Sequence, residues 1–115
     1  MSKFDIGNIT IQSGDEIGYT FKFPVASSAT ANDGAVPYGR TISSVIVTAY
    51  DEDDADVTSE LIEGTPSLST VTVTVVLKYP ASGVGRYKLT FDLTLDNGWT
   101  REVDFTTLYV KEIKL

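Results

Sequence analysis

From residue 71 to residue 110 apolar and polar residues alternate almost without interruption, and a period of two confines this part of the chain to half-buried β-strands. Val71, Val73, Val75 and Leu77 fall on one face, and Thr72, Thr74 and Lys78 on the other. Beyond Gly83-Val84-Gly85-Arg86, the series Tyr87, Leu89, Phe91, Leu93, Leu95 alternates with Lys88, Thr90, Asp92, Thr94, Asp96. Upstream, Ile17, Tyr19, Phe21 and Phe23 alternate with Gly18, Thr20 and Lys22 until Pro24, which cannot donate to a ladder. Val45, Val47 and Ala49 oppose Ser44, Ile46, Thr48 and Tyr50 in a strand over 41–50. Ile9 to Gln12 reads as a weak opening strand, followed by a turn at Ser13-Gly14-Asp15-Glu16. Asp56 to Glu63 fits either a short strand or a single helical turn. Asn97-Gly98 supplies the positive backbone angles of a tight hairpin. The returning strand, Trp99 to Lys111, holds one phase through Arg101, Val103 and Phe105, and needs a bulge at Thr106-Thr107 to bring Leu108 and Val110 back to the apolar face.

About seven strands without helical periodicity predict an all-β, antiparallel two-sheet sandwich. The glycine turn ahead of Arg86-Tyr87-Lys88-Leu89 puts Tyr87 near the start of a long penultimate strand. That is the place of the tyrosine corner of immunoglobulin-like (Ig-like) sandwiches, where a phenol bonds back to nearby backbone; the plainer reading is one more core aromatic. Leu89 stands where an antibody domain has its second cysteine, so the sandwich is held by packing, with no disulfide. The 115 residues make a single domain over 1–115, long enough to bury roughly two thirds of the unfolded chain's surface.

The chain has neither cysteine nor histidine. Thiolate zinc sites, thiol nucleophiles, and the commonest general base and metal ligand are thereby absent, so enzyme is the least expected class. Absence of cysteine also fits assembly in a reducing cytosol. Residues 51–63 hold seven acids and no base, which accounts for the whole net charge of -7. The remainder is balanced, with no basic face for nucleic acid or an anionic membrane. The opening residues contain no long apolar stretch, and no segment approaches the roughly 20 apolar residues of a membrane span. The expected protein is soluble and unprocessed.

Three features could carry function. Asp51, Asp53, Asp54 and Asp56 concentrate hard oxygen ligands that could hold calcium, although Ala55 and Asp56 depart from the EF-hand pattern; otherwise they form a solvated turn. No other cofactor is expected. The long small-residue connection 25–39 is read as a loop or an interaction arm, with Val36, Pro37, Tyr38 and Arg40 as interaction residues at its end and with 27–35 dispensable for folding. Trp99, the only tryptophan, shares the phase of Val103 and Phe105 and is expected to cap the core; its alternative is a sugar-stacking platform.

The order Thr41-Ile42-Ser43-Ser44-Val45-Ile46-Val47-Thr48, an acidic turn ending in Asp56-Val57-Thr58-Ser59, alternating Val and Thr, Gly85-Arg86-Tyr87-Lys88-Leu89-Thr90-Phe91, Thr94-Leu95-Asp96-Asn97-Gly98 and Glu102-Val103-Asp104-Phe105 resembles small Ig-like structural proteins of tailed bacteriophages. The resemblance covers about residues 15 to 110. It implies a non-enzymatic virion protein, of the fibre-tail adaptor or head decoration type. Such a protein would be assembled in the host cytoplasm, form a homo-oligomer in the particle, and bind capsid, connector or fibre proteins. Residues 25–39 are longer than the usual connection in that family. Lys111, Glu112 and Lys114 would blunt the last strand at an edge. The alternative is a cell-surface or carbohydrate-binding Ig-like module acting through Trp99 or Tyr50.

Overall fold

The computed structural model describes residues 9–12, 16–31, 33–80, 83 and 85–111. Residues 13–15 of the expected first turn, Val84 of the second glycine turn, and the terminal Glu112 and Lys114 lie outside them. The described chain is an all-β sandwich of seven strands with one short helix. In order these are β1 (Ile9–Gln12), β2 (Glu16–Lys22), β3 (Ile42–Tyr50), α1 (Thr58–Leu61), β4 (Ile62–Ser69), β5 (Thr72–Lys78), β6 (Gly85–Leu95) and β7 (Thr100–Lys111). One sheet runs β1-β7-β6-β3 and the other β2-β5-β4. All pairings are antiparallel except β1 with β7.

The predicted alternation sets the two inner faces. Phe21, Val73, Val75 and Leu77 from the smaller sheet are buried against Val47, Ala49, Leu89, Phe91, Leu93 and Val103 from the larger. Phe91 lies between two aromatics, with ring centroids 5.0 Å from Phe21 in a tilted pair and 5.2 Å from Phe23 edge-on. Such offset contacts suit the ring quadrupoles and add to the area buried. The bulge expected at Thr106-Thr107 is present: Tyr87 faces Leu108 and Leu89 faces Phe105, so one residue of β6, Lys88, stands opposite two of β7, Thr106 and Thr107.

Three local expectations are corrected. The 56–63 segment divides, giving the α1 turn and then the start of β4, a strand the sequence conceals. Its core stretch Glu63-Gly64-Thr65-Pro66 has poor strand propensity, and its register with β5 breaks between Glu63 and Ser67. An edge strand tolerates this because only one side must pair. The β6–β7 hairpin is a three-residue loop, Asp96-Asn97-Gly98, closed by the Leu95 amide donating to the Trp99 carbonyl at 2.7 Å. Only Gly98 adopts positive φ, at 87°, which is the pattern of a turn followed by a left-handed residue rather than a two-residue turn.

The third correction concerns the 25–39 connection, which is a compact loop folded into the protein. Val25 and Val36 form a parallel bridge, the Ala26 amide donates to the Val36 carbonyl at 2.8 Å, and the Val36 amide donates to the Pro24 carbonyl at 3.0 Å. Ala26, Ala35 and Val36 are buried. Gly34 is required at the crossing, since a Cβ there would sit 2.2 Å from the Ala26 nitrogen. Across the loop, the Ser27 amide and hydroxyl donate to the two oxygens of Asp33, at 3.0 and 2.7 Å. These bonds, the amide's foremost, hold the Asp33 carboxyl below its ordinary value of 3.8. The tie therefore contributes above that pH and is lost as pH falls below it.

Two measurements test this packing. Phe91→Ala should lower unfolding free energy in urea by about 3–5 kcal/mol, because the cavity opens between two rings that cannot collapse together. Deleting residues 27–35 should destabilise the protein cooperatively, because Ala35 and the Ser27–Asp33 tie leave with them; an unchanged urea midpoint would show the loop to be an independent appendage.

Candidate functional site

The strand directions gather the connections at two opposite ends of the sandwich. At the end where β3 begins, the 37–41 segment meets the 96–99 hairpin loop. The Asp96 amide donates to the Thr41 carbonyl at 2.9 Å, and the Arg40 guanidinium pairs with Asp96 at 3.6 Å. The Arg40 amide donates to the Pro37 carbonyl at 3.1 Å, and the Trp99 amide to Asn97 Oδ1 at 3.1 Å, so both loops are also fixed internally. From this frame Tyr38 is 56% exposed and Trp99 62% exposed. An exposed ion pair of this kind adds little stability, at most about 1 kcal/mol, so Arg40–Asp96 chiefly sets the relative position of the loops.

Of the four residues expected to interact, Tyr38 is well exposed, Pro37 and Arg40 are partly buried, and Val36 is withdrawn into the protein's own core. Val36 cannot dock on a neighbour without unfolding the loop. Trp99 is likewise corrected: it does not cap the core. Its phase matches Val103, but it belongs to the turn that precedes β7, where alternation no longer dictates burial. That the Trp99 loop and the Tyr38 loop come together could have been suspected only by knowing that Arg40 and Asp96 meet.

The other end holds the acidic turn and Tyr87. Asp51 Oδ1 accepts from the amides of Asp53 at 2.9 Å and Ala55 at 3.0 Å, and Glu52 Oε1 accepts from the Arg86 amide at 2.8 Å. Asp54 lies 4.0 Å from the Lys88 ammonium. Asp56 Oδ1 accepts from the Thr58 hydroxyl at 2.6 Å and its amide at 3.0 Å, the hydroxyl chiefly holding that carboxyl below the ordinary range. Asp51, Asp54 and Asp56 are thus turned to separate partners, and among the described residues no three acidic side chains come together as a metal site. The calcium reading of Asp51, Asp53, Asp54 and Asp56 is not what this geometry builds: the acids cap a turn.

Tyr87 is buried, and its phenol donates to the Gly83 carbonyl at 2.8 Å. Burial first, then the negative charges of Glu60 and Asp51, raise its ionisation above 10.0. A buried polar pair also escaped the sequence pattern. Thr90 and Asp104, register partners on the face assigned to water, are both buried, and the Thr90 hydroxyl donates to Asp104 Oδ1 at 3.0 Å. Alternation assigns a face but not what covers it. Among the described residues no helix is long and apolar enough to cross a membrane.

No protein-family model matches the chain, and no curated protein matches it.

Tyr87→Phe should cost about 0.5–1.5 kcal/mol in unfolding free energy at neutral pH, through the lost bond and the Gly83 carbonyl left without its donor. Because the folded-state pKa is raised, the tyrosine's contribution is full below about pH 10 and declines as pH rises through the folded value. The gap between wild type and Tyr87→Phe should therefore narrow above pH 10 in denaturant titrations. A gap independent of pH there would remove Tyr87 as the cause.

Proposed function

We propose that the protein is a non-enzymatic binding module, an Ig-like sandwich that presents its 37–40 and 96–99 loops to another protein. The observation that carries this reading is the exposure of Tyr38 and Trp99 on two loops tied to each other through Arg40–Asp96 and the Asp96–Thr41 bond. Tyr, Trp and Arg are the residue types that concentrate binding energy at interfaces, and loops already held in place lose little entropy on binding. The strand order supports the Ig-like assignment. Taking β2 to β7 as strands B to G, the sheets are B-E-D and C-F-G, with β1 beside G. The Tyr87–Gly83 bond supports it further, as the hydrogen bond expected of a tyrosine corner.

Within this reading the role is the one implied by the sequence resemblance: a tailed-phage virion accessory protein, assembled in the host cytoplasm and bound to capsid, connector or fibre proteins. A packing-only fold without cysteine suits assembly in a reducing compartment. The absence of histidine and cysteine from the sequence supports a role without chemistry. Carbohydrate binding is the second reading, and the exposure of Trp99 favours it, since a bare indole is the platform a sugar face stacks on.

Affinity capture from a phage-producing lysate with wild type, Tyr38→Ala and Trp99→Ala should recover virion proteins with the wild type only. Each substitution should weaken capture at least tenfold, about 1.4 kcal/mol, without changing Tm. Capture indifferent to both would reject this surface. Quenching of Trp99 fluorescence by soluble glycans, with no virion protein recovered, would favour the carbohydrate reading instead.

A further inference from the structure

The chain's three asparagines are Asn8, Asn32 and Asn97, and only Asn97 precedes a glycine. That pairing has a chemical consequence. A backbone amide nitrogen can attack the side-chain carbonyl carbon of the asparagine before it, and glycine, having no Cβ, hinders that approach least. Asp96, Asn97, Gly98 and Trp99 are all exposed, so water reaches the site.

The hairpin loop acts on the two reacting groups in opposite ways. Asn97 Oδ1 accepts from the Trp99 amide at 3.1 Å, which places a donor on the oxygen where negative charge develops during attack at Cγ. The electrophile is thereby primed. The Gly98 amide, which supplies the nucleophile, donates to the Leu95 carbonyl at 2.9 Å, and Gly98 is fixed at φ 87°. Its proton is withheld from solvent base for as long as the turn is closed.

We propose that Asn97 is a site of spontaneous deamidation in the folded protein, gated by opening of the 96–98 turn at Gly98. Once the Leu95 carbonyl releases it, the Gly98 nitrogen forms a bond to Asn97 Cγ and gives up its proton to water. The Cγ–Nδ2 bond breaks, and that nitrogen leaves as ammonia. The product is a five-membered succinimide, which water opens in one of two ways. Addition at Cγ gives aspartate, and addition at the backbone carbonyl carbon gives isoaspartate. One water is consumed and one ammonia released, with nothing oxidised or reduced. Either product adds a negative charge beside the Arg40–Asp96 pair. Isoaspartate also lengthens the main chain by one atom, and the closing bond from the Leu95 amide to the Trp99 carbonyl depends on a loop of three residues. The loop that presents Trp99 thus carries a one-way clock.

Peptide mapping of the full chain during incubation in mildly alkaline buffer, with isoaspartate scored by its methylation by isoaspartyl methyltransferase, tests this. The native chain should convert at Asn97 at least about tenfold more slowly than the chain unfolded in guanidinium, because only the open fraction reacts. Hydrogen exchange gives an independent measure of the same opening. The slowdown should match the protection of the Gly98 amide to within about tenfold, since both processes need the bond to Leu95 released. In the isoaspartate product the Leu95 amide should lose its own protection, with the rest of β6 unchanged. Native conversion at the unfolded rate, a slowdown far from the Gly98 protection, no conversion at Asn97 even in guanidinium, or a Leu95 amide still protected in the product would each overturn the proposal.

Discussion

The contact on which the rest of the molecule depends is the placement of Phe91 between Phe21 and Phe23. One ring from the larger sheet packs against Phe21 of β2 and Phe23 just beyond its end, so both separation and alignment of the sheets are set at one point. With no disulfide to limit the unfolded chain, sheet-to-sheet cohesion comes from such burial, and each inner-face residue contributes through shape as well as area. Val47, Leu89 and Val103 extend the contact on one side and Val73, Val75 and Leu77 on the other.

That cohesion gives the connections something rigid to fasten to. Phe23, just past the end of β2, is held inside the core, and the chain that follows cannot leave freely: Ala26, Ala35 and Val36 are drawn in, with Gly34 allowing two backbones to cross. Burial of Val36 in turn aims the next residues, Pro37 to Arg40, at the β6–β7 hairpin. Tyr38 and Trp99 are thus exposed on a fixed frame, as the proposed binding surface requires. At the other end the same economy of backbone satisfaction absorbs the acids. Carboxylates that accept amide hydrogens within their own turn are poorly placed to surround a cation.

Much of the fold was legible in the residues, because alternation is local. Val71 to Leu77, Tyr87 to Leu95 and Val45 to Ala49 each display their buried face in a few consecutive positions, and the bulge at Thr106-Thr107 is visible as a slip of phase. β4 was not legible, since Glu63-Gly64-Thr65-Pro66 forms a strand through its neighbour β5 and not through its own propensity. Trp99 was misjudged for a related reason. Phase describes a residue within a strand, and a turn residue of the same parity has no inner face to occupy.

By itself the sequence determined an all-β sandwich, its inner faces, a core without disulfides, and the concentration of negative charge in one turn. These follow from side-chain chemistry and a backbone period of two, which need no knowledge of distant neighbours. Tertiary structure alone decided that the 25–39 loop is folded in, that Arg40 meets Asp96, and that Thr90 and Asp104 share a buried bond. Each of these depends on residues remote in the chain becoming adjacent, and adjacency is created only when the two sheets close on each other.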